Sequence, residues 1–265
     1  MIDTITSRDN SLLRQARAVR DGEIDELIFV EGLRLCEEAR RSNLEIEAVI
    51  VSEELMRKER AAHAIAELSR VSKRTASVSE KLLESISYTK TPQGIVVLAE
   101  RPDSSEAHLA VSLAANPLLV VLHQINNPVN VGAILRTAEA AGATGVIATR
   151  NTSDPFSPKS LRGAMGSAFR LPIWTGPTFE DVVAWCRDRG IETVCSDAEA
   201  DTDYTDVDWA KASALLLGPE STGFTAEELM NADRRVKIPM RGMAESLNVS
   251  VAAGILLFEA ARQRA

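Results

Sequence analysis

Aromatic side chains make up only 4% of the 265 residues, so aliphatic packing must carry the core. Three cysteines, Cys36, Cys186 and Cys195, stand far apart. Their odd number argues against a disulfide framework, and their spacing forms no metal pattern. The three histidines, His63, His108 and His123, are equally scattered. A zinc site and a histidine-based triad therefore find no support, and no metal is expected. No apolar run reaches the roughly 18 residues of a membrane span. Met1-Ile2-Asp3-Thr4 lacks the basic and apolar regions of a secretory signal. Together these absences point to the cytoplasm and away from membranes. Neither Gly-x-Gly-x-x-Gly nor Gly-x-x-x-x-Gly-Lys-Ser/Thr occurs, which argues against a classical dinucleotide fold or a P-loop enzyme.

Basic residues are also in deficit: 30 Lys+Arg face 38 Asp+Glu, for a net charge of −8. Phosphate neutralisation needs a basic surface, so indiscriminate nucleic-acid binding is disfavoured. A small local basic patch remains compatible with that total. The first twenty residues supply one, with Arg8, Arg14, Arg17 and Arg20 against Asp3 and Asp9. Asp197, Glu199, Asp201, Asp203, Asp206 and Asp208 form an acidic stretch without the Gly and terminal Glu of an EF-hand, and read as a solvated loop.

A length of 265 residues suits one large domain or two smaller ones, and a hydrophobic content of 45% is enough for a core. Two α/β series are legible. In the first, helices are expected at 11–20, 34–41, 61–68 and from Ser79, a cap candidate; strands are expected at 27–30, 48–51, 75–78 and 94–99. Arg101 to Glu106 is polar and holds Pro102. It marks a linker, placed at 101–114 between domains 1–100 and 115–265. In the second series, strands at 118–122, 145–149, 191–195 and 214–217 alternate with helices at 131–141, 160–166 and 179–189. That alternation predicts a mostly parallel sheet covered on both faces. Ligands of such sheets sit beyond the strands' carboxyl ends.

Three polar segments fall at such ends. Asn127-Pro128-Val129-Asn130 follows one strand and leads into a helix bearing Arg136. Gly218-Pro219-Glu220-Ser221-Thr222-Gly223 follows another. A short strand running into Ile238-Pro239-Met240 leads to Arg241-Gly242-Met243-Ala244-Glu245-Ser246-Leu247-Asn248 and a last helix. Ser246 or Asn248 is placed to cap that helix, and Asn130 to cap the one beginning at Val131. Val251, Ala252, Gly254 and Ile255 make a small helix face that suggests a close backbone neighbour. Gly218 and Gly242 permit a ligand's close approach. Ile238, Met240 and Leu247 offer apolar walls for a flat ring.

In this order the three segments resemble the three motifs of the SpoU (TrmH-like) RNA 2′-O-ribose methyltransferases of the SPOUT class. The resemblance implies a trefoil-knotted carboxyl-terminal domain and S-adenosylmethionine as cofactor. It implies cofactor binding by Gly218, Ile238 and Leu247, with Glu220 and Met240 beside them as further candidates. Catalytic positions carried over are Arg136, Asn130, Glu220, Ser246 and Asn248. A guanidinium is a poor base, so Arg136 is expected to grip a phosphate or the ribose oxygen rather than accept a proton. The alternative for Arg136 is a surface ion pair with Glu139 or Glu220. Many family members have Asp where this chain has Asn127, so Asn127 is given no catalytic role.

Residues 1–100 are similar to the family's substrate-binding module, a ribosomal-protein-like α/β fold. The similarity rests on Ile5–Asn10, Phe29–Leu35 and Thr89–Ile95. The family often carries a basic cluster before its Val-Glu-Gly segment, whereas 21–26 here is acidic. Arg8, Asn10, Arg14 and Arg17, with Arg136, are therefore the expected RNA contacts. Ribosomal RNA of the large subunit is favoured over transfer RNA. A non-catalytic RNA-binding or ribosome-assembly factor on the same fold is the reading from another class. A homodimer is implied, with Arg136 of one chain serving a cofactor bound in the other.

Overall fold

The computed structural model describes residues 2–265. They gather into two compact units. One takes residues up to Pro102 together with Phe156–Arg170; the other takes Asp103–Pro155 and Leu171–Ala265.

The amino-terminal part runs β1 (Asp3–Ile5), α1 (Ser11–Arg20), β2 (Leu27–Glu31), α2 (Leu33–Arg41), β3 (Ile46–Ser52), α3 (Glu53–Met56), α4 (Glu59–Val71), β4 (Arg74–Val78), α5 (Glu80–Ile86) and β5 (Ile95–Glu100). Its five strands lie in the order β1-β4-β3-β5-β2. The first three neighbours are parallel, and β5 runs antiparallel to both β3 and β2. Leu12, Leu13, Ala16 and Val19 bury one face of α1, at helical spacing. They pack with Phe29, Ile50, Leu83, Ile86 and Leu98 in an aliphatic core. Each such side chain contributes about 1.5–3 kcal/mol by leaving water. Ser79 caps α5 as expected, accepting from the Leu82 amide at 3.4 Å.

The chain continues through α6 (Glu106–Val111), β6 (Leu118–Leu122), α7 (Pro128–Ala140), β7 (Gly145–Ala148), α8 (Pro158–Ala164), α9 (Ser167–Arg170), β8 (Ile173–Thr175), α10 (Phe179–Asp188), β9 (Glu192–Ser196), β10 (Thr202–Asp203), β11 (Ser213–Leu217), α11 (Ala226–Asn231), β12 (Arg234–Lys237) and α12 (Val249–Arg264). The seven strands of the second unit lie in the order β10-β12-β9-β11-β6-β7-β8, every pair parallel. β6 and β11 are buried along their whole length, which is why both read as unbroken apolar runs.

Three local readings change. The expected linker contains α6, capped by Ser105, whose Leu109 is fully buried in the second unit's core. Glu106 on the same helix accepts from Trp185 Nε1 at 2.7 Å. Second, α8 and α9 belong with the first unit, although they interrupt the sequence of the second. Arg170 Nη1 meets Glu38 Oε2 at 2.6 Å, and Arg101 stacks 4.9 Å over the Phe156 ring, anchoring both ends of that segment. Third, β12 ends at Lys237 rather than running on through Ile238. Pro239 has no amide hydrogen to give a ladder.

A flexible linker would tolerate Leu109→Ala with a change within about 0.5 kcal/mol. The buried helix instead predicts a loss of roughly 2–5 kcal/mol, read as a lowered urea midpoint at unchanged slope.

Candidate functional site

The site is built where two central strands end together. Leu122 of β6 lies opposite Leu217 of β11, and the His123 amide donates to the Leu217 carbonyl at 2.9 Å. The first two polar segments therefore leave the sheet side by side. A Cβ added to Gly218 would lie 2.7 Å from the Phe224 ring, so this glycine makes room for the chain's own aromatic side chain. Among the described residues, nothing beyond its immediate chain neighbours lies within 4 Å of such an atom on Gly242.

The third segment joins the first through two asparagines. Asn248 caps α12, its Oδ1 accepting from the Ser250 amide at 2.9 Å and from Ser250 Oγ at 2.6 Å. Its Nδ2 donates to Asn130 Oδ1 at 3.3 Å. Asn130 does not cap α7; Asn127 does, accepting from the Val129 amide at 3.0 Å, with Pro128 filling the first turn. Asn130 sits inside the helix, 6% exposed, and its Nδ2 is buried with no acceptor among the described residues. A stranded buried donor costs about 1–3 kcal/mol, so an acceptor from outside the chain would relieve it. Ser246 makes no cap.

α12 packs along α7 and buries Ala253, Leu256, Leu257 and Ala260. The small face expected to meet a close backbone does not do so within the chain: Val251 is exposed, and a Cβ on Gly254 would meet Thr137 Cγ2 at an ordinary 3.8 Å.

A cavity of about 150 Å³ opens beside the third segment. Ile238, Met240, Leu247 and Ser246, all anticipated from sequence, line it, but Gly218 and Glu220 do not. Ser196, Asp197, Ala198, Glu245 and Ala252 complete the lining. Ser196–Ala198 follow β9 at its carboxyl end, a position the parallel-sheet rule singles out. Asp197 is already neutralised by Arg235, whose Nε donates to its Oδ2 at 2.9 Å, so Glu245 is the carboxylate left beside the apolar wall to face a positively charged ligand.

Arg136 stands exposed on α7, and among the described residues no ion pair or hydrogen bond engages it. The alternative pairing with Glu139 or Glu220 is therefore not formed. Of the expected RNA contacts, Arg8 and Arg14 are exposed. Arg17 turns inward instead, donating to the Arg8 carbonyl at 3.0 Å, and the Asn10 side chain caps α1. Burial pushes all three thiols up, Cys186 to about 12, so none is a ready nucleophile. Among the described residues no three His, Cys, Asp or Glu side chains gather as a metal site.

Sequence reasoning overlooked His123. Its ring is buried, with Nδ1 3.0 Å from Thr149 Oγ1 and Nε2 2.9 Å from Glu228 Oε1. It stacks on Phe224, with centroids 5.8 Å apart and planes at 6°. Glu228 also closes a capping box with Thr225 at the start of α11. This pair ties the segment after β11 back to the end of β6. The Thr225-x-x-Glu228 pattern was the available signal.

The SpoU rRNA Methylase family model matches residues 117–258, more than half of the chain. The chain belongs to this family. A second model, the MRM3-like substrate binding domain, matches residues 13–97. The chain is 37% identical over 193 residues to the 23S rRNA (guanosine-2'-O-)-methyltransferase RlmB of Ralstonia nicotianae, spanning 69% of this chain and 74% of that one. It is 29% identical to the 23S rRNA (guanosine(2553)-2'-O)-methyltransferase RlmP of Bacillus subtilis, over 87% and 86% of the two chains. Among solved structures it resembles an AdoMet-bound rRNA methyltransferase from Sinorhizobium meliloti, with a TM-score of 0.85, 31% identity and 98% coverage of both chains. The SpoU methyltransferase AviRb from Streptomyces viridochromogenes gives 0.83 at 28% identity, over 96% and 98%.

Burial pushes the Glu228 carboxyl up, but hydrogen bonds from Thr225 and the nearby His123 outweigh it, leaving its pKa below the ordinary value. A depressed carboxylate stabilises the fold above its unfolded pKa, near 4.3, and loses that contribution as pH falls through the lower folded value. Glu228→Gln should therefore lower stability at neutral pH and flatten the acid limb of a melting-temperature profile. An unchanged acid limb would remove the His123–Glu228 tie from the account.

Proposed function

We propose that the chain transfers methyl from S-adenosylmethionine to a ribose 2′-hydroxyl of 23S ribosomal RNA. The carrying observation is the convergence of the first and third segments: Asn130 and Asn248 in contact, a cavity lined by Ile238, Met240 and Leu247, and an exposed Arg136 on the adjoining helix. The names of the relatives support the substrate class. The AdoMet-bound neighbour supports the cofactor, and the cavity's apolar wall with the Glu245 carboxylate fits a cationic nucleoside.

When bound, S-adenosylmethionine supplies a methyl group already activated by the sulfonium charge. The chain's task is alignment and charge stabilisation, and alignment alone supplies on the order of 7–11 kcal/mol in favourable cases. Ile238, Met240, Ser246 and Leu247 would hold the cofactor, and Gly218 and Glu220 lie on the neighbouring turn after β11. Asn248 fixes the Asn130 amide, whose free Nδ2–H would be offered to an oxygen of the substrate. Arg136 grips a phosphate or the ribose oxygen and stabilises the negative charge that develops there. Glu220 orients the substrate side of the turn.

The first unit would serve as the RNA-recognition domain, with Arg8 and Arg14 as outward contacts. The return of the chain from β12 through 238–248 to α7 would form the trefoil knot. We also propose a homodimer. Asn130 and Asn248 bring the amino ends of α7 and α12 together, and the exposed Val129, Val251 and Phe258 lie along those two helices. In a dimer Arg136 of one chain would face the cofactor of the other.

Arg136→Ala should lower methyl transfer to 23S rRNA by about 100- to 1,000-fold while leaving S-adenosylmethionine affinity nearly unchanged in calorimetry. Turnover equal to the parent chain would take Arg136 out of the mechanism. Phe258→Glu should shift sedimentation from dimer to monomer, and a dimer of unaltered stability would place the interface elsewhere.

A further inference from the structure

A second cavity, of about 280 Å³, lies wholly within the first unit. Arg34 at the start of α2 and Arg162 on α8 stand in its wall, although they are far apart in sequence. Among the described residues neither has an ion-pair or hydrogen-bond partner. The neighbouring carboxylates are engaged. Glu31 accepts from Ser87 Oγ, the Tyr88 and Thr89 amides and Thr89 Oγ1, at 2.6–3.2 Å. Glu38, just outside the cavity, is shared between Arg41 and Arg170. The two uncommitted charges are therefore both guanidinium groups.

The rest of the wall suits more than an anion. Gly32 has φ of +102°, and a Cβ there would lie 2.5 Å from Gln93 Oε1, so the glycine admits the Gln93 amide to the cavity. Gln93 offers a donor and an acceptor, Thr89 Oγ1, its hydrogen spent on Glu31, offers an acceptor, and Leu35 and Met165 offer apolar surface. The volume falls just under the roughly 300–1,000 Å³ of small-ligand pockets, a size for one small group rather than for a helix groove.

We infer that this cavity takes one splayed, single-stranded RNA nucleotide, its phosphate held by Arg34 and Arg162 and its base edge read by Gln93 and Thr89. Guanidinium groups match phosphate bidentately, and sequence-specific RNA recognition favours unstacked bases in loops over duplex. The inference deepens the proposed function by naming where the first unit would hold its RNA.

The test uses the full-length chain, deproteinised 23S rRNA transcript, and filter binding over a range of salt. The Arg34→Ala/Arg162→Ala double variant should bind roughly tenfold or more weakly. The slope of log affinity against log salt should become shallower by about 0.7 for each single-strand phosphate that is no longer neutralised. The Arg34→Lys/Arg162→Lys variant should recover the salt slope but only part of the affinity, since it keeps charge without the planar fork. Melting temperature and S-adenosylmethionine affinity should not move in either variant. Gln93→Ala should change affinity among transcripts of different loop sequence without changing the slope. Unaltered affinity and slope in the double variant, a weakening accompanied by a lower melting temperature that the lysine variant shares, or no RNA binding by the parent chain would each overturn the inference. RNA binding of the expected kind without methyl transfer by the parent chain would sink the proposed reaction and leave this pocket standing.

Discussion

β6 and β11 run parallel at the middle of the second unit, each buried on both faces. Parallel strands deliver their carboxyl ends to the same edge, so the segments that follow must emerge together whatever lies between them in sequence. Leu122 and Leu217 are remote in sequence, yet one backbone hydrogen bond from His123 spans the step between their ends. Asn130, Gly218 and the His123–Glu228 pair all take their positions from that pairing. The third segment is brought in by α12 lying along α7, and the hydrogen bond between Asn248 and Asn130 is its latch.

The elements around the site divide by whether they take up their polar groups internally. Asn127, Asn248, Thr225 and Asn10 spend their side chains on helix amides. Arg17 gives its Nη2 to a carbonyl and leaves its buried Nη1 without a partner among the described residues. Arg136, Arg34 and Arg162 engage no partner among the described residues. Arg8, Arg14, Arg60 and Arg241 are likewise exposed without an ion pair among the described residues, so what sets these three apart is the helix or cavity wall on which they stand.

The buried strands were legible because strands covered on both faces become continuous Val, Leu and Ile runs. The three motif segments were legible because their polar, glycine-bearing composition interrupts those runs. The cap was placed at Asn130 for want of one clue: Pro128 fits the first turn of a helix, which moves the cap back to Asn127. α6 was hidden because six residues are too few to show a helical period, and Pro102 nearby looked like a break. Ser196–Ala198 drew no notice inside an acidic stretch that reads as solvated loop. No local pattern could have assigned α8 and α9 to the first unit, since the packing of α8 against β2 joins residues remote in sequence.

That last arrangement bears on how the polypeptide matures as it is synthesised. The amino-terminal sheet emerges from the ribosome first, but the piece that covers it, ending at Arg170, arrives only after α7 and β7 have been made. Domains usually fold vectorially, each finishing before the next begins. Here the leading unit waits, its Glu38 not yet met by Arg170, for a segment encoded within its successor, so the two halves must be completed in an interleaved order.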